Sequence, residues 1–74
     1  MMKNITDIER ILIPNRGVVV EFKDGFVGEE PFSSYPRLNK ATEEERKKYV
    51  SSYYGLQWEE LDEDLSFDGF YRNS

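Results

Sequence analysis

The sequence predicts an α+β fold: an antiparallel sheet, formed by a three-stranded meander plus a fourth carboxy-terminal strand, packed with one main helix. Three observations carry this. A β-branched run, Val18-Val19-Val20-Glu21-Phe22, meets Lys23-Asp24-Gly25 and then Phe26-Val27, the pattern of two strands joined by an Asp-Gly turn. Thr42-Glu43-Glu44-Glu45 has the spacing of a capping box that opens a helix. Tyr54-Gly55-Leu56-Gln57-Trp58 alternates with the period of two expected of a half-buried strand.

The elements follow in order. Residues 5–13 are ambiguous, because Ile5, Ile8, Ile11 and Leu12 fit a helical stripe and Thr6 with Glu9 has capping-box spacing. Ile11-Leu12-Ile13 is nevertheless rich in β-branching and runs into the turn Pro14-Asn15-Arg16-Gly17, which favours a strand. In the hairpin, a two-residue loop would set Phe22 opposite Val27, on the core face shared with Val18 and Val20. Residues 28–40 read as an ordered loop, since Pro31 and Pro36 interrupt any ladder, with Phe32, Tyr35 and Leu38 folded back over the sheet. The helix begun at Thr42 is expected to run to residues 50–52, supported by Glu43 with Lys47 and Glu44 with Lys48, and to turn Arg46, Tyr49, Val50 and Tyr53 inward. The fourth strand places Tyr54, Leu56 and Trp58 on one face. Beyond it, Leu61, Leu65, Phe67, Phe70 and Tyr71 suit irregular or short helical turns against the core, with Asp64 or Ser66 as a cap.

With 74 residues there is room for one core, and a chain of this size buries only about 60% of its unfolded surface. No repeat, low-complexity tract or linker divides it, so residues 1–74 read as one domain. Five Phe, five Tyr and one Trp make rings the main core material, and the absence of cysteine removes disulfides and thiolate zinc sites. Partner binding or self-association is then the remaining staple for so small a domain. The amino terminus is charged from Lys3 onward and carries no apolar run of signal or membrane-span length, which points to the cytoplasm and away from a membrane.

The formal charge of −5 is segregated. Residues 1–48 hold nine acids and nine bases, whereas residues 49–74 hold six acids (Glu59, Glu60, Asp62, Glu63, Asp64, Asp68) and only Arg72. Such a surface repels phosphate backbones, so direct nucleic-acid binding is not expected; a basic protein partner is favoured. A carboxylate run is also what a solvated face looks like.

Catalytic chemistry finds little support. Without histidine there is no imidazole to act as base, acid or metal ligand, and the scattered glycines form no phosphate loop. Counting a calcium loop from Asp62 puts Phe67 where glycine is needed and Asn73 where glutamate is needed, so that motif fails. The expectation is a protein with no enzymatic activity, no cofactor and no dedicated metal site; weak carboxylate-based cation binding is the least favoured alternative. Candidate partner-binding residues are Trp58, Asp62, Glu63 and Asp64. Each has a structural reading beside the functional one: a lone Trp is usually core, and Asp side chains commonly fix turns.

The hairpin with Phe22-Lys23-Asp24-Gly25, then Pro36-Arg37-Leu38-Asn39-Lys40-Ala41-Thr42 with Arg46 and Tyr49, then Gly55-Leu56-Gln57-Trp58 and Asp62-Glu63-Asp64-Leu65-Ser66, together resemble the bacterial family called domain of unknown function 2442. The resemblance covers nearly the whole chain. It implies a compact α+β domain and no established activity. It also implies a setting, since some relatives look like one half of a two-gene, antitoxin-like system. In that family histidine often precedes the tryptophan and proline follows it; here Gln57 and Glu59 stand there, so no histidine role carries over. The expected function is an interaction or regulatory module whose acidic segment, residues 59–68, docks a basic protein, with a self-associating domain as the alternative.

Overall fold

Alternation along Val18, Val20 and Phe22 gives one apolar face to β2 (Gly17–Phe22), and that face is buried. β2 is the centre of an antiparallel sheet with β1 (Ile8–Leu12) on one side and β3 (Val27–Pro31) on the other, the meander expected from the sequence. The structure, a computed structural model, describes residues 2–72. The ambiguous segment divides in two. Asn4 caps a short 3-10 turn over Ile5–Asp7, with Asp7 reaching back to the Asn4 N–H in place of the Thr6 and Glu9 pair, and the strand begins at Ile8.

The hairpin loop has three residues, which corrects the expected register. Phe22 N–H donates to the Phe26 carbonyl at 2.8 Å and Gly25 N–H to the Phe22 carbonyl at 2.9 Å, while Gly25 takes φ +96°. A turn closed by a left-handed glycine needs that third residue. Phe22 therefore lies opposite Phe26, with ring centroids 6.0 Å apart. Val27 pairs with Glu21 on the outer face, where it is 53% exposed.

The strand centred on Leu56 does not join this meander. β5 (Gly55–Trp58) is the middle of a second three-stranded antiparallel sheet, between β4 (Val50–Ser51) and β6 (Glu63–Ser66). Three short α-helices complete the described residues: α1 (Pro36–Lys40), α2 (Glu43–Arg46) and α3 (Phe67–Arg72). The expectation of a single sheet with one main helix is thus corrected to two sheets and three short helices.

The main helix fails for a physical reason. Its capping box forms, with Thr42 Oγ1 accepting from Glu45 N–H and Glu45 Oε1 accepting from Thr42 N–H. A helix of a few turns is marginal without tertiary support, however, and the following residues gain more elsewhere. Tyr49 packs beside Trp58 at 6.0 Å between centroids, and Val50 pairs with Gln57. The supposed inward residues Val50 and Tyr53 are exposed, as is Tyr54. Residues 28–40 are more regular than a loop, since β3 runs to Pro31 and is followed by a 3-10 turn (Phe32–Ser34) and α1. Phe32 and Leu38 are buried as expected, and Tyr35 packs half-buried beside them.

Both sheets and α3 share one core. Val18, Val20 and Phe22 come from the first sheet, Leu56, Trp58 and Leu65 from the second, Phe67 and Phe70 from α3, and Phe32 and Leu38 from the connection. Each such side chain contributes roughly 1.5–3 kcal/mol on burial. Gly28 lets α3 lie against β3, because a Cβ there would strike the Phe70 carbonyl. Ser66 Oγ accepts from Gly69 N–H at 3.1 Å and so caps α3, one of the two caps expected. Among the described residues no helix is long and apolar enough to cross a membrane.

Candidate functional site

The acidic residues of the second sheet lie on a short 3-10 turn (Glu59–Leu61) and on β6. Between residues 50 and 66 there are five acids and no base. Leu65 is inward and opposite Leu56, Asp64 is opposite Gln57 on the outer face, and Glu63 is opposite Trp58. Glu59, Glu60, Asp62 and Asp64 are exposed and Glu63 is half-buried. Four of these acidic residues, Glu59, Asp62, Glu63 and Asp64, line an open depression of about 320 Å³ together with Gln57 and Trp58.

The candidate residues come together, but in different roles. Trp58 is 1% exposed, and its Nε1–H donates to the Arg46 carbonyl at 2.8 Å. It satisfies a carbonyl that α2 leaves open at its end and anchors the strand behind the acids. Asp62 occupies the left-handed region at φ 52°, which Asp tolerates better than most residues, so it has a backbone reason to be there. Arg37 donates from Nη1 to the Asp62 carbonyl at 2.6 Å and stands 3.8 Å from its carboxylate, while Lys48 lies 4.0 Å from Glu60. Exposed pairs of this kind are worth about 0–1 kcal/mol and leave the face strongly negative. No group of three or more Asp, Glu, His or Cys among the described residues could hold a metal ion.

Two further titratable pairs are formed by other elements, and one of them, Glu30 with Tyr35, shares a depression with Asp64. Glu30, on the inward side of β3 and 8% exposed, accepts from the Tyr35 hydroxyl at 2.8 Å. Burial first, and donation to Glu30 second, push the Tyr35 hydroxyl up to about 12. The Tyr71 hydroxyl donates to Asp24 at 2.6 Å; this bond, with a further one from Phe26 N–H, holds the Asp24 carboxyl below its usual range and raises Tyr71. The sequence reading missed the Glu30–Tyr35 pair. The signal was the period of two along β3, which places Glu30 on the same face as Gly28.

Fold and site together define a small α+β domain of two antiparallel meanders around an aromatic core, carrying an acidic edge strand. The chain matches the family described as "Protein of unknown function (DUF2442)" over residues 10–74, and it belongs to that family. No curated protein and no solved structure matches it.

Proposed function

We propose that this protein is a non-enzymatic interaction module that binds a basic protein partner through the acidic edge of its second sheet, in the manner of an antitoxin-like member of a two-gene system. One observation carries the reading: four acidic residues line a single open depression on a scaffold held from behind by the buried Trp58, Leu56 and Leu65. An arrangement that keeps like charges together on a rigid strand favours a cationic side chain entering from solvent, and steers a basic surface toward it. Acids also protect an exposed strand edge from pairing with other chains, a role these residues fill with or without a partner. Co-expression with the product of the adjacent gene, followed by purification at low salt, tests the proposal. Retention that weakens as salt rises is the expected result, and passage of that product unretained contradicts it.

Self-association is the second reading, and one observation favours it. Val50, Tyr53 and Tyr54 are each at least 50% exposed, Val50 on β4, the other edge of the same sheet, and the two tyrosines in ring contact just after it.

A further inference from the structure

On the neutral part of the chain, a cleft of about 350 Å³ opens between the turn at Asn15 and Arg16, the start of the 3-10 turn at Phe32 and Ser33, and the α1–α2 connection at Asn39 and Arg46. In a chain with fifteen acids against ten bases, this lining has two arginines, two carboxamides and a hydroxyl, and no carboxylate. We infer that this cleft binds an oxyanion, a phosphate or carboxylate group, between Arg16 and Arg46.

The two arginines are prepared differently. Arg46 is held in place: Nε donates to the Leu38 carbonyl at 2.9 Å, Nη2 to the Asn39 carbonyl at 3.0 Å, and the guanidinium lies 4.0 Å above the Phe32 ring. Those bonds reach the last carbonyls of α1, of which that of Leu38 also accepts from Ala41 N–H, and leave Nη1 with no partner among the described residues. A guanidinium with a fixed plane and free donors loses little entropy on meeting an oxyanion. Arg16 makes no ion pair with any described residue, although its carbonyl accepts from Phe32 N–H at 2.9 Å and thereby fixes the turn against the cleft. The side chains of Asn15, Asn39 and Ser33 also make no hydrogen bond among the described residues and supply further neutral donors. Two arginines lining one cleft, with free donors and no acid beside them, supply the charge-assisted hydrogen bonds that oxyanions select.

The experiment is a titration of the ¹⁵N-labelled protein with inorganic phosphate and, separately, with succinate, at ionic strength held constant with chloride. Saturable shifts at the amides of Arg16, Phe32 and Ser33 and at the Arg46 side chain are expected. Saturation by phosphate alone assigns a phosphoryl ligand, and saturation by succinate alone assigns a carboxylate. Arg16→Glu should weaken binding by about tenfold or more while leaving the denaturation midpoint in place. Arg46→Lys, which keeps the charge and loses the planar fork, should weaken it as well. Shifts that never saturate, that chloride reproduces, or that survive Arg16→Glu overturn the inference.

Discussion

The two meanders have the same topology and are built by opposite means. In the first, a six-residue central strand with three buried apolar side chains is closed by a glycine turn, and its strands would be expected from their own composition. In the second, the outer strands are Val50–Ser51 and the polar Glu63–Ser66, and only Leu56, Trp58 and Leu65 face the core. The first sheet is specified locally; the second depends on what it packs against. A sheet held from behind by a few large side chains can have its exposed edge composed of carboxylates, and this chain's charge segregation uses that freedom.

The comparison breaks most sharply at Trp58. Replacing it with Ala should cost about 3–5 kcal/mol in chemical denaturation, since it removes the largest buried ring and leaves the Arg46 carbonyl without its donor. A cost below about 1 kcal/mol would mean that the second sheet is not anchored as described. Gly28→Val attacks the seam between the first sheet and α3. Its Cβ would meet the Phe70 carbonyl, and a loss of about 1–3 kcal/mol is expected from the forced displacement, read as a lower thermal midpoint.

The same contrast explains what was legible in the sequence. The hairpin, the Thr42 capping box, the strand at Leu56 and the burial of Phe32, Leu38 and Trp58 could all be read, because each rests on local chemistry or plain apolarity. β4 and β6 could not: a two-residue strand has no period, and Glu63-Asp64-Leu65-Ser66 carries one apolar residue among poor strand formers. The helix from Thr42 was read too long because its salt-bridge spacing is genuine, Lys47 standing 3.9 Å from Glu43, yet weaker than the pull of Trp58 on Tyr49. At the site, the acids were visible as composition. Their shared lining of one depression, and the unpaired Arg16 in the cleft beside α1 and α2, depend on the register and on the joint between α1 and α2.

A smaller effect concerns the seam at high pH. The Tyr35 hydroxyl is raised from 10.0 to about 12, so its neutral form is the one the fold favours. That contribution is complete below about pH 10 and is lost as pH rises toward about 12. Tyr35→Phe should therefore flatten the alkaline fall in stability over that window, and a tyrosinate absorbance titration should lose its latest-titrating component. An unchanged alkaline profile would detach the Glu30–Tyr35 pair from folding.

The smallest effect on stability belongs to the acidic edge, and there the central claim is tested. Asp62→Asn, Glu63→Gln and Asp64→Asn should each change stability by no more than about 0.5 kcal/mol, because none of these carboxylates is deeply buried. The decisive measurement is retention of the adjacent gene's product at low salt by the wild-type chain and by the variant carrying all three substitutions, side by side. Salt-sensitive retention by the wild type is expected, and its loss from a variant that unfolds at nearly the same denaturant concentration. Equal retention by both, or retention by neither, would contradict it.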